Sequence, residues 1–377
     1  MRLLHIADLH LGKRVSDFSM IDDQKYILSQ ITDLAENCSA DGLLIAGDIY
    51  DKAVPTAEAV CLFDSFLSGM SRRGIPVFAI SGNHDSAERL AFGAGLMKQG
   101  GAYFSPVFSG AIEPVIFNDI YGEVCIWMMP FLRLSQVKAV YGDSEIANYT
   151  AATAAVIAHM SIKRSSRNVL LAHQFVTGAE RCESEEISVG GLDNVDEAVF
   201  EPFDYVALGH IHGPQFIGRE TVRYSGSPLK YSFSEEKHIK SAVLIELGAK
   251  GQISLKLKPL KPLRDMKTLR GSFEKLTAFT GHKSKDIEDY IRIILTDEED
   301  VPNAIGRLRA LYPNVMRLDY DNTRTRSVFE ELGTADAEKR PAELFGELYE
   351  KQNGRRLDEE QEKYLEKLIS DIWEDEK

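Results

Sequence analysis

Five short motifs in this 377-residue sequence carry the residue types that hold divalent metal ions. They are Asp8-Leu9-His10, Gly47-Asp48-Ile49-Tyr50-Asp51, Gly82-Asn83-His84-Asp85, His173 and Gly209-His210-Ile211-His212. Five of the nine histidines fall within them. Imidazole, carboxylate and amide oxygen without thiolate suit Mn, Fe or Zn better than copper or an iron–sulfur cluster. Asn83 offers a neutral oxygen to a hard cation, and His84 offers an imidazole that can act as an acid or a base. Two divalent ions about 3.5 to 4 Å apart need a carboxylate between them with N and O ligands on both sides, and Asp48 is the natural bridge. In extended backbone, Asp8 with His10, and His210 with His212, point the same way. Glycines 47, 82 and 209 allow close backbone approach where these side chains converge. Taken singly, each motif also fits a turn, a helix cap or a packed core histidine. Their succession at strand ends is what points to metal chemistry.

Strands and helices alternate through the first half of the chain, and this alternation must position the motifs. Residues 3–7, 43–46 and 75–80 are apolar runs. Between them, Ile27, Leu28, Ile31, Leu34, Ala35 and Cys38 recur at helical spacing, as do Val60, Phe63, Leu67 and Met70 after Pro55. Further strands are predicted at 124–129, 169–172 and 205–208, with a helix at 151–159. Continuous apolar strands separated by amphipathic helices imply sheets buried on both faces. Shorter strands from 222 to 257 are predicted to close the domain with a second half-sheet. Pro259 and Pro262, among charged residues, mark a boundary near 262. Residues 264–320 read as a small unit of one helix, a strand at 290–295, a helix at 304–311 and a strand at 315–320. From 323 to 377 there are 10 Lys and Arg against 16 Asp and Glu, and no strand-like run. Leu344, Phe345, Leu348 and Tyr349 form one helical face, and Tyr364, Leu365, Leu368, Ile369, Ile372 and Trp373 another. Such a tail packs on the chain's own body or docks in a partner's groove.

Composition narrows the class. No apolar run approaches the ~20 residues needed to span a bilayer, and the N-terminal run reads as a first strand, without a signal-peptide cleavage site. Cys38, Cys61, Cys125 and Cys182 have no paired spacing, so reduced, mostly core thiols and a cytoplasmic location are expected. A net charge of -14 excludes nucleic-acid binding by bulk charge alone. Bound metal ions or a basic partner can still supply positive charge locally.

The order DxH, GDxxD, GNHD, H, GHxH over residues 8–212 resembles the calcineurin-like metallophosphoesterase superfamily. Segments 189–195, 205–214 (YVALGHIHGP) and 224–233 (YSGSPLKYSF) are similar to the bacterial SbcD family, the nuclease subunits of SbcCD complexes. The resemblance implies a two-sheet α/β sandwich flanked by helices over 1–262, a small α/β capping domain over 263–322 that meets DNA, and a helical tail over 323–377 that docks on an ATPase partner. It implies that Asp8, His10, Asp48 and His212 hold one ion and Asp48, Asn83, His173 and His210 the other. His84 would be the acid that protonates or steadies the leaving oxygen, with Asp85 orienting His84. Archaeal and eukaryotic relatives have a histidine where this chain has Asp51, so His84 would act here without it.

The implied activity is Mn-dependent 3'-to-5' exonuclease and endonuclease cleavage of double-stranded DNA ends and hairpins, in repair, recombination and replication. The implied partner is an SbcC-like SMC-type ATPase, with a homodimer inside a heterotetramer. The chain contains no Gly-x4-Gly-Lys-Ser/Thr phosphate loop of its own. Arg89, Arg133 and Lys230 are candidate phosphate contacts, with a solvated surface role as the alternative. A phosphatase or cyclic-nucleotide phosphodiesterase on the same metal core is the competing reading. A scaffold with a degenerate metal site is disfavoured by the intact ligand set.

Overall fold

The computed structural model describes residues 1–142, 146–185, 194–278, 288–323, 345–346, 349–350, 356–358 and 360–365. Its strands in chain order are β1 (Arg2–Ile6), β2 (Arg14–Val15), β3 (Phe18–Ser19), β4 (Gly42–Ala46), β5 (Val77–Ile80), β6 (Ala102–Phe104), β7 (Val115–Asp119), β8 (Gly122–Met128) and β9 (Arg167–His173). They continue with β10 (Tyr205–Gly209), β11 (Gln215–Ile217), β12 (Arg219–Tyr224), β13 (Ser241–Leu247), β14 (Ile253–Pro259), β15 (Met266–Gly271), β16 (Tyr290–Leu295) and β17 (Val315–Tyr320). One six-stranded sheet runs β14-β13-β1-β4-β5-β6, a second runs β11-β12-β10-β9-β8-β7, and β15-β16-β17 form a small third sheet. Strands β1, β4, β5 and β6 are parallel, as are β8, β9, β10 and β12.

The apolar runs are continuous because both faces of each central strand are covered. Leu3, Leu44, Ala46, Phe78 and Ile80 of the first sheet pack on Val169, Leu171, Tyr205 and Ala207 of the second. Alternate residues Leu4, Ile6, Leu43, Ile45 and Val77 turn outward. There they meet helix α1 (Ile21–Asn37), through Ile27, Leu28 and Ile31, and α2 (Ala57–Arg72), through Phe63 and Phe66. Thr56 caps α2, its hydroxyl accepting from the Ala59 N–H at 3.3 Å. On the far side, Leu170, Val206 and Leu208 pack under the helix Tyr149–Ala158. The expected two-sheet sandwich flanked by helices is the observed architecture.

Two details differ from expectation. The late strands do not form one half-sheet: β11 and β12 extend the second sheet, whereas β13 returns beside β1 and carries β14 with it. Of the cysteines only Cys125 is buried; Cys38 and Cys182 are half-buried, Cys61 is exposed, and all four are free. Short or polar edge strands (β6, β7, β15) carry too weak a pattern to stand out in the sequence.

By internal contacts the chain divides into Met1–Leu269, Gly281–Ile293 and Ile305–Arg317, and a second unit of Arg270–Thr280, Ile294–Ala304 and Leu318–Lys377. Within the first unit the segment after Pro262 is stitched down. The buried Asp23 carboxylate accepts from Arg264 Nη1 and from the Tyr290 hydroxyl, each at 2.7 Å. In the second unit, Asp297 accepts the Phe273 N–H at 2.8 Å and Arg270 pairs with Asp321. The tail stripe Leu368, Ile369, Ile372 and Trp373 lies outside the described residues, as do Leu344 and Leu348 and most of the 189–195 segment. No helix among the described residues is long and apolar enough to cross a membrane.

Candidate metal centre

The C-terminal ends of parallel strands from both sheets deliver the motif residues to one place, the edge where open α/β sheets bind ligands. Asp8 and His10 follow β1, Asp48 follows β4, and Asn83, His84 and Asp85 follow β5. His173 ends β9, and His210 and His212 follow β10. The loop after β1 stays paired to the loop after β4, with Asp8 N–H on Gly47 O at 3.1 Å and His10 N–H on Asp48 O at 3.0 Å. Asp8, His10, Asp48 and His210 all have positive φ, at 55°, 44°, 49° and 101°. A non-glycine residue held in a sparsely populated backbone region costs about 1–3 kcal/mol, a strain that clusters at functional sites. Two glycines make the convergence possible. A Cβ on Gly209 would lie 1.8 Å from the Ala46 carbonyl oxygen, and one on Gly82 would lie 2.1 Å from Asp48 Oδ1.

Asp8, His10 and His212 form one group of converging donor atoms, and Asp8, Asp48 and His173 another. His10 Nε2 lies 3.1 Å from His212 Nε2 and 3.7 Å from Asp48 Oδ2. His173 Nε2 lies 3.3 Å from Asp48 Oδ2 and 3.0 Å from Asn83 Oδ1, which also meets His210 Nδ1 at 3.0 Å. Every sequence-predicted ligand, Asp8, His10, Asp48, Asn83, His173, His210 and His212, is in this cluster.

The donor set fits cations. His173 Nδ1 donates to the Ala46 carbonyl at 2.8 Å, so in the neutral ring its Nε2 lone pair faces the oxygens of Asn83 and Asp48. Acceptors aimed at acceptors in a buried site require positive charge between them. Asp8 Oδ2 is buried with no hydrogen-bond partner, as a ligand atom reserved for a metal would be. Burial opposes ionisation of Asp48, but the His173, His10 and His84 imidazoles hold its carboxyl well below the usual range. Burial drives the His10 imidazole well below its usual value, towards the neutral form that binds metals.

Comparison with known proteins agrees with this geometry. A family model described as calcineurin-like phosphoesterase matches residues 1–214. Another, described as the type 5 capsule protein repressor C-terminal domain, matches residues 262–353. The chain is 31% identical over 383 residues to a Staphylococcus saprophyticus protein named as the D component of the nuclease SbcCD, covering 100% of this chain and 99% of that one. It is 31% identical over 322 residues to the Staphylococcus epidermidis protein of the same name, covering 84% of this chain and 85% of that one. The chain belongs to the SbcD family of calcineurin-like phosphoesterases. Among solved structures it is similar to a dimetal phosphatase from Danio rerio, at 12% identity and a TM-score of 0.44, covering 70% of this chain and 98% of that one.

In this SbcD-family chain His84 stands at the rim of the cluster, its side chain 18% exposed and its Nε2 4.0 Å from Asp48 Oδ2. The contact that orients its ring differs from expectation. His84 Nδ1 meets the Asp51 backbone carbonyl at 3.0 Å. The Asp85 carboxylate instead accepts backbone N–H groups of Ile49, Tyr50 and Gly82 at 3.0, 2.9 and 2.9 Å, tying the loops after β4 and β5 together. Lys230 is committed elsewhere, on the Glu236 carbonyl at 2.6 Å and Asp265 at 2.8 Å, while Arg89 and Arg133 are exposed. Sequence reasoning missed Lys13, which donates to Asp51 Oδ1 at 2.7 Å, and the side chains behind His212: Ser184, Glu185, Glu235 and Lys240. Their only sequence signal was the 224–233 segment leading into Glu235 and Lys240.

Removing metal leaves a cluster that depends on protons. Burial works against charge on His173, but Asp48 and Asp8 raise it from 6.5 to about 9. Burial pushes Asp8 up from 3.8 to about 7. A group whose folded value is raised stabilises the fold while protonated, so this stability is lost between 3.8 and about 7 for Asp8 and between 6.5 and about 9 for His173. The melting temperature of the metal-free chain should fall by several degrees as pH rises from about 6.5 to about 9, and bound divalent ions should flatten that fall. Differential scanning fluorimetry across this range checks it; a flat profile without metal contradicts it.

Proposed function

We propose that the chain is the metal-dependent nuclease subunit of an SbcCD-type complex, hydrolysing DNA phosphodiester bonds with two divalent ions, Mn2+ in the cell. The observation that carries the reading is the end-to-end similarity to a protein named as the D component of the nuclease SbcCD, at 31% identity over 100% of this chain. The seven converging ligand residues support it. Asp8, His10, Asp48 and His212 would hold one ion, and Asp48, Asn83, His173 and His210 the other. When bound, such a pair supplies a nucleophile at neutral pH and neutralises charge on the phosphoryl oxygens.

The rest of the reaction falls to the chain's own side chains. With Nδ1–H directed at the Asp51 carbonyl, the His84 ring presents Nε2 to the cluster. In the imidazolium form that Nε2 carries the proton given to the departing 3'-oxygen. Asp85 acts one step back, fixing the backbone that carries His84. The substrates in this reading are double-stranded ends, cut 3' to 5', and hairpins, cut internally. ATP binding belongs to an SMC-type partner, because this chain has no phosphate loop. Residues 263–322 cap the DNA, and residues 323–377 dock on the partner.

Two experiments test this. With Mn2+, the wild-type chain should cut linear duplex DNA, and His84→Ala should lower the rate by ~10²–10⁴, the usual range for a lost general acid, while retaining both ions. Wild-type hydrolysis of bis-p-nitrophenyl phosphate but not DNA overturns the reading in favour of a small-ester phosphodiesterase. Deleting residues 323–377 should abolish co-purification with the ATPase and leave Mn2+-dependent cleavage in place. A truncated chain that still co-purifies contradicts the docking role.

A further inference from the structure

His212 is held at every polar atom except the one that faces the cluster. Its backbone N–H donates to Glu185 Oε1 at 2.6 Å, and its carbonyl accepts from Lys240 Nζ at 2.9 Å. Its Nδ1 lies 2.8 Å from Ser184 Oγ, which in turn lies 2.6 Å from Glu235 Oε1. Glu235 is 0% exposed and Lys240 4%. The Lys240 ammonium spends its three donors on Glu235 Oε2, Ser227 Oγ and the His212 carbonyl. Glu235 also accepts the Tyr231 N–H at 3.1 Å. Most of these partners come from the 224–240 stretch, for which the proposed reaction has no other use.

The direction of each hydrogen bond follows from counting protons. Glu235 Oε2 is paired with the Lys240 ammonium inside the fold, and that ion pair keeps the buried carboxyl ionised. An ionised carboxylate only accepts, so the single Ser184 proton points to Glu235. Ser184 oxygen then accepts from His212 Nδ1–H. That selects the tautomer whose lone pair is on Nε2, the atom 3.1 Å from His10 Nε2 inside the cluster. A ring fixed in this way is pre-set for a metal, and losing such a partner typically weakens metal binding by ~10- to 100-fold.

We infer that Ser184 and Glu235, backed by Lys240, are positioning residues that hold His212 in its metal-binding tautomer and orientation. This deepens the two-metal reading above and rests on it. The direct test is stepwise Mn2+ affinity of the full chain, measured by competition with a chromophoric chelator, for wild type, Ser184→Ala and Ser184→Thr. Ser184 lies on a loop, and neither substitution disturbs the Glu235–Lys240 pair, so folding should survive. Ser184→Ala should weaken one of the two stepwise constants about tenfold and leave the other, and Ser184→Thr, which keeps the hydroxyl, should restore it. Two wild-type constants in Ser184→Ala overturn the inference, as does a threonine variant as weak as the alanine one. A wild-type chain that binds no Mn2+ overturns the metal-centre reading itself.

Discussion

Burial of the Asp48 carboxylate among imidazoles is the constraint on which the site depends. Its Oδ1 accepts the His84 N–H at 3.0 Å, while Oδ2 faces His173 Nε2 at 3.3 Å, His10 Nε2 at 3.7 Å and His84 Nε2 at 4.0 Å. Asp8, also fully buried, lies 4.0 Å from His173. Two carboxylates taken out of water need compensating positive charge. Protons on the histidines can supply it, and so can cations. An imidazole takes either a proton or a metal, so where such a cluster holds cations the two compete, and stability, pH and metal content become a single coupled quantity.

The fold is built to hold that unfavourable concentration of charge. Parallel strands from two sheets end at one edge, and the inter-sheet layer of Leu44, Phe78, Ile126, Leu171 and Tyr205 fixes their separation. Above it the backbone accepts strain at Asp8, His10, Asp48 and His210. The approach of Gly209 to the Ala46 carbonyl excludes any side chain there. Asp85 fits this scheme as a buried cross-brace: burial and then the Asp48 charge push it up to about 6, offset in part by the three backbone N–H groups that it holds.

The convergence of the candidate ligands was legible because each motif is local and each follows an apolar run that could only be a strand. The run at 75–80 placed Asn83 at a strand mouth, and the observed Val77–Ile80 strand puts it there. What the sequence hid was non-local. Ser184 is a common residue type far in sequence from Glu235 and Lys240, and only the folded chain sets the three in line behind His212. The ring-orienting contact on His84 comes from a main-chain carbonyl, which has no sequence signature at all. Lys230 looked available for phosphate until the fold supplied Asp265, 2.8 Å away. The return of β13 to the first sheet depends on pairing across 200 and more residues, which hydrophobic periodicity does not encode.

The most direct test of the central claim is electron paramagnetic resonance of the Mn2+-loaded chain with metal content measured on the same sample. Two ions sharing Asp48 predict two Mn2+ per chain with an exchange-coupled spectrum, and loss of that coupling in Asp48→Asn. One Mn2+ per chain at saturation, or two that give independent uncoupled signals, would contradict the account.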